Sequence, residues 1–214
     1  LVGVLALLIA SLGAKRIIRK SVVKSSAVQL AGMCFSTRMS LIILFSTGFI
    51  SMAMEVIWIR AFTPILGTTI YAFAAVLAVY LLATFLGTLA YRSSLRMKFK
   101  FNVDLIVIFL AIATILPLIV SDPELSNARW VPLISIMPFC FLLGILTPGL
   151  VDGFSGGAAD RIGIAYFANI LGSIIGPLTA GYILLPVLGA KWSLLVLVTP
   201  FIFIHFLVVQ KLGR

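Results

Sequence analysis

Residues 68–91 read TTIYAFAAVLAVYLLATFLGTLAY, an uncharged, mostly apolar run that stops at Arg92. A helix rising 1.5 Å per residue needs roughly 20 such residues to cross the hydrocarbon of a bilayer. The apolar residues are continuous and do not alternate with polar ones, so the run reads as a helix and not as an outer-membrane β-strand. Working outward, the same reading applies to Ser40–Arg60 before it and to Asn102–Val120, Trp130–Val151, Gly163–Leu188 and Trp192–Val209 after it. A shorter apolar run, Leu1–Ala14, opens the chain. The expected fold is all-α, a polytopic transmembrane helix bundle of about seven spans.

Composition supports this class. Of 214 residues, 62% are hydrophobic and 10% charged, whereas a soluble domain carries about 25% charged residues to face water. Soluble globular, disordered and disulfide-stapled folds are therefore excluded. The cysteines, Cys34 and Cys140, have neither disulfide nor metal-ligand spacing.

The net charge of +10 comes from short basic clusters between apolar runs. No basic stripe interleaved with aromatics follows a phosphate backbone, so no nucleic-acid partner is expected. Lys15, Arg16, Arg19, Lys20, Lys24, Arg38, Arg92, Arg96, Lys98, Lys100, Arg161, Lys211 and Arg214 fall on one side of seven alternating spans. Only Arg60, Arg129 and Lys191 fall on the other. The basic side is cytoplasmic by the positive-inside rule, which puts the C-terminal end inside. Ser121–Arg129 then reads as a polar outside turn, and Ser21–Thr37 as an interfacial helix or a plain connector. The chain divides into a partial first span (residues 1–14), a basic juxtamembrane segment (15–39), a six-helix membrane domain (40–210) and a cytoplasmic end (211–214). It opens inside an apolar stretch without methionine and reads as part of something longer.

An acid inside a span is a functional hypothesis by default, and Glu55 lies five residues before Arg60. Gly48, Ser51, Glu55 and Trp58 share one small, polar helix face. Two readings compete: a cation site, or an interhelical hydrogen bond or ion pair, with Arg60 as one partner. Gly67–Thr68–Thr69 is expected to open the next helix, with a threonine as its cap. In the next-to-last span, Ala168, Gly172, Gly176 and Ala180 recur every fourth residue and form a groove for close helix packing. Asn169 and Ser173 lie beside it, and Asn169 can bond a substrate or a neighbouring helix. Pro177 should kink this helix, and Pro186 with Gly189 should close it.

Gly149–Arg161 reads as a glycine-rich loop, yet lacks the ending of a phosphate cradle. His205, the only histidine, has no partners for a metal site or a catalytic triad. No nucleophile–base pair, carboxylate pair or nucleotide fingerprint is present. No catalytic residue, metal ligand or cofactor is therefore assigned, and this segment alone is not expected to be an enzyme.

Glu55, Trp58, Arg60, Gly67, Thr69, Tyr71, Ala72 and Gly87 form a Glu-x-x-Trp-x-Arg block, a Gly-x-Thr-x-Tyr-Ala block and a late glycine. Gly144 and Pro148 follow as Gly-x-x-x-Pro. Tyr166, Asn169, Gly172, Gly176, Gly181, Leu185, Pro186 and Gly189 form the last block. In this order, over Leu41–Val209, they resemble the membrane domain of bacterial fused spermidine-synthase-like proteins, a region compared with major-facilitator transporters. The resemblance implies a multi-pass inner-membrane domain that anchors or feeds a cytoplasmic aminopropyltransferase domain beyond Arg214. It implies enzymatic activity only for a longer parent, and it does not extend to Leu1–Ala14 or Lys15–Lys24. The alternatives are a transporter-like bundle binding a cation or polyamine at Glu55 and Asn169, or a non-catalytic subunit among other membrane subunits. The lipid bilayer is the expected partner in every case.

Overall fold

A computed structural model describes residues 37–97, 103–120 and 130–212. Among the described residues every element is helical: α1 Thr37–Leu66, α2 Thr69–Met97, α3 Val103–Val120, α4 Val131–Ser155 and α5 Ala159–Thr179. A π-helical turn, Ala180–Leu184, leads from α5 into α6, Leu185–Leu212. The expected span Leu1–Ala14, most of the basic segment 15–39, and the Asp122 turn lie outside the described residues.

Among the described residues, four helices are long and apolar enough to cross a membrane: α1, α2, α4 and the run Ala159–Ile204. Length and composition thus give four, not about seven. Two features of the described residues account for much of the difference. Leu105–Val120, within α3, is a shorter apolar helix. In addition, Gly163–Leu188 and Trp192–Val209 lie within one apolar run, Ala159–Ile204, whose two helices part at the non-helical Gly189, the expected point of closure. A lone proline removes one donor without halting a helix, and the π-turn three residues after Pro177 absorbs its misfit.

This run is not straight, because Gly189 has φ 70° and ψ 176°. The packing shows which way it goes. Gly176 lies against Phe49 of α1, and Trp58 is nine residues further along α1. A straight continuation would carry Phe201 roughly 24 Å past the level of Trp58, at 1.5 Å per residue. Instead Phe201 packs on Phe139, with ring centroids 6.0 Å apart, and Phe139 packs edge-on against Trp58 at 5.4 Å. The chain therefore bends back at Gly189, and α6 returns along the bundle beside α3. Ser193 secures the corner by donating its hydroxyl to the Gly189 carbonyl at 2.6 Å.

Helix boundaries also differ from the sequence reading. α1 runs past Arg60 to Leu66, through Pro64, and stops at Gly67, whose φ of 89° suits a residue without Cβ. Thr68 Oγ1 then accepts the Tyr71 N–H at 3.2 Å, the expected cap. The stretch Gly149–Arg161 is not a loop. α4 continues through it to Ser155, and Gly156 ends the helix in the left-handed conformation, donating its N–H to the Asp152 carbonyl. Only Gly156–Ala158 separate α4 from α5.

The packing has two strong partnerships, α1 with α5 and α2 with α4. Both run parallel: Phe45 and Phe49 of α1 meet Gly172 and Gly176 of α5 in the same order. Likewise Thr84 and Tyr91 of α2 meet Gly144 and Asp152 of α4. Trp58, Phe62, Phe139 and Phe201 fill the core near the Arg60 end.

Candidate functional site

Both parallel pairs close on glycine. A Cβ at Gly172 would collide with the Phe45 carbonyl, and one at Gly176 with the Phe49 carbonyl. Gly48 lies against the Asn169 backbone from the other side. In the second pair, Gly87 meets the Phe141 carbonyl and Gly144 meets the Thr84 carbonyl. Small residues allow such backbone approach, the usual basis of helix association in lipid. Ala180, at the end of the four-residue repeat, is fully buried, and Ala168 packs against the core.

Where the two pairs face each other they leave a cavity of about 310 Å³. α1 contributes Thr47, Ser51 and Met52, and α2 contributes Tyr80, Thr84 and Thr88. α4 adds Leu143, Gly144, Thr147 and Pro148, and α5 adds Tyr166, Asn169 and Ser173. Nine of these thirteen residues carry a hydroxyl or an amide. Such groups are rare in a helix that faces hydrocarbon on all sides, since each must find a partner there.

The polar groups are held in order. Asn169 Nδ2 donates to the Leu44 carbonyl at 2.9 Å and to Thr47 Oγ1 at 3.3 Å, bridging α5 to α1. Thr47 and Ser51 donate to the Leu44 and Gly48 carbonyls at 2.9 and 3.0 Å. Thr84 donates to the Tyr80 carbonyl at 2.7 Å, and Thr88 donates to the carbonyls of Thr84 and Gly144 at 2.9 and 3.2 Å. Ser173 donates to the Asn169 carbonyl at 3.0 Å. At the far end of the α2–α4 pair, the buried Tyr91 hydroxyl donates to Asp152 Oδ2 at 2.8 Å.

The four residues singled out as a polar membrane site do not form one cluster. Asn169 lines the cavity. Glu55 is partly buried one helical turn beyond Ser51, within electrostatic range of Tyr80 and Cys140. Among the described residues it has no hydrogen bond or ion pair, so the expected pairing with Arg60 is absent, and Arg60 is exposed. The reason is helical phase: five residues place the two side chains about 140° apart around α1. Trp58 is fully buried against Phe139, and its Nε1 has no hydrogen-bond partner among the described residues. Cys140 is a buried free thiol, and no group of three His, Cys, Asp or Glu suitable for a metal occurs among the described residues. The side chain of His205 lies outside the described set.

Sequence reasoning passed over Tyr80, Thr84, Thr88 and Thr147. A signal was present: Tyr80, Thr84 and Thr88 stand four apart, as do Thr47, Ser51 and Glu55, and Asn169 and Ser173. A four-residue step stays on one helix face, so three polar ladders face one another across the cavity.

No family model, curated protein or solved structure matches this chain.

Proposed function

We propose that the chain is a polytopic membrane domain whose bundle binds a small hydrogen-bonding solute in the cavity between α1, α2, α4 and α5. The observation that carries this reading is the set of nine polar side chains converging on one chamber between helices otherwise rich in exposed apolar residues. Phe85 and Phe167, for example, point outward at 58% and 62% exposure, as a lipid-facing surface would. In this reading α1, α2, α3 and α4 each cross once, and the run 159–204 crosses twice by bending back at Gly189. Binding sites near the middle of a bundle, between helices that interrupt one another's packing, are the common arrangement in transporters.

The test is access from water. Thr84→Cys, in a background with Cys34→Ser and Cys140→Ala, puts one thiol in the cavity wall. A small, water-soluble methanethiosulfonate reagent should label it in intact membranes. The proposal fails if the thiol stays unlabelled in membranes yet reacts after denaturation.

One observation favours a second reading. Read by the positive-inside rule, the basic clusters would put Lys211 and Arg214 on the cytoplasmic side, where a fused aminopropyltransferase would work. The domain would then be the membrane part of a spermidine-synthase-like protein in the bacterial inner membrane, anchoring or feeding that enzyme.

A further inference from the structure

The proposed cavity has a chemical bias that follows from where its hydroxyl protons go. A Ser or Thr hydroxyl has one hydrogen and two lone pairs. Thr47, Ser51, Thr84, Thr88 and Ser173 each give that hydrogen to a helix carbonyl three or four residues back. Asn169 gives its amide hydrogens to α1. These six groups therefore turn oxygen lone pairs, not hydrogens, toward the chamber. The Tyr80 hydroxyl is hydrogen-bonded to Ser51, which leaves Thr147 and Tyr166 as the lining hydroxyls without a described hydrogen bond. No Lys, Arg or His is among the lining residues. One turn beyond Ser51, outside the cavity lining itself, stands Glu55, a carboxylate without an ion-pair partner among the described residues.

We infer that the solute bound in this cavity is a primary organic ammonium, held by an acceptor-lined chamber with Glu55 as its counter-charge; the inference rests on the solute-binding reading above. An ammonium head carries three donors and no acceptor, the complement of this wall. An anion would meet lone pairs with no cation to offset them. A neutral alcohol could use one acceptor and leave the others unmet, and unmet buried polar groups are costly. Size separates an organic cation from a bare alkali ion. At 310 Å³ the chamber far exceeds the roughly 30 Å³ that one water occupies in the liquid, leaving room for several heavy atoms behind the head.

The experiment compares three isosteric probes on the full chain in detergent, by calorimetric titration and thermal stabilisation: n-butylammonium chloride, n-butanol and sodium butyrate, at matched ionic strength. The expected result is butylammonium binding at least tenfold more tightly than either of the others. Glu55→Gln should weaken it by about tenfold or more, the range for losing a charged hydrogen bond. Probe selectivity in the unmodified protein needs no variant, so a Glu55→Gln chain that misfolds does not remove the test. Equal binding of butanol, or tighter binding of butyrate, overturns the ammonium assignment and leaves the solute cavity standing. A response to sodium chloride as strong as to butylammonium chloride makes the chamber an alkali-ion site and also overturns it. If no probe binds while Thr84→Cys is labelled from water, the ammonium assignment alone fails; if that thiol is also inert, both readings fail.

Discussion

Tyr91 and Asp152, 61 positions apart in the chain, are joined by a 2.8 Å hydrogen bond from the tyrosine hydroxyl to the carboxylate. Tyr91 is buried and Asp152 exposed, so the bond ties the rim of α4 to the body of α2. Tyr91→Phe removes the donor and keeps the ring. Stability should fall by about 1 kcal/mol, below the roughly 1.5–3 kcal/mol of a bond to a charged group, because the exposed carboxylate can rehydrate. Thermal unfolding in detergent reads this directly, and Asp152→Asn, which keeps an acceptor, should lose less.

Glycines in one helix should respond in opposite ways. Gly172→Ala places a methyl group against the Phe45 carbonyl, and Gly172→Leu adds far more bulk. Both should lower the melting temperature, leucine the more. Gly163, in the same helix, has nothing near its virtual Cβ. Gly163→Ala should be neutral or gain up to roughly 1 kcal/mol from helix propensity. A Gly172→Ala variant as stable as the parent would show that α1 and α5 do not touch there.

Trp58 carries a buried indole N–H with no acceptor among the described residues. Such an orphan donor costs about 1–3 kcal/mol, so Trp58→Phe removes a penalty along with some packing volume. The variant should lose less than the 3–5 kcal/mol expected when a buried aromatic becomes alanine, and Trp58→Ala should fall in that range. Equal losses for the two variants would mean the indole nitrogen is satisfied after all.

The charge distribution makes a topological prediction. Reporter fusions after Lys100 and after Arg214 should both report cytoplasm, and a fusion near Asp122 should report the opposite side. A fusion after Lys100 that reads as external would invert the whole arrangement.

Much of the helical layout is readable from residues alone, because long uncharged apolar runs leave little alternative to helix. The four-residue step of Ala168, Gly172, Gly176 and Ala180 is equally legible, since it states what lies on one face. What that face meets is not written in the step: Phe45 and Phe49 carry no mark of their role as partners, because it is their backbone that makes the contact. The sequence reading ends the helices too early, at Arg60 and Val151, for a related reason. Prolines and glycines look like stops in a linear reading, but Pro148 and Gly149 sit inside α4, where the packed bundle supports the helix. The cavity was the least legible feature. Each of its threonines is unremarkable within its own helix, and the chamber exists only through the crossing of two pairs.

That crossing has a mechanical consequence. Within each pair the backbones interlock at glycine, with no side chain left to yield, so each pair should behave as a single stiff beam. Between the pairs the seam is looser, formed by far fewer contacts of α1 with α2 and α4, and of α4 with α5. The chamber lies along that seam. Any widening or narrowing of it must therefore come from one beam tilting against the other, with the Trp58–Phe139–Phe201 stack as the fulcrum near one end and the Tyr91–Asp152 latch, internal to one beam, riding along unchanged.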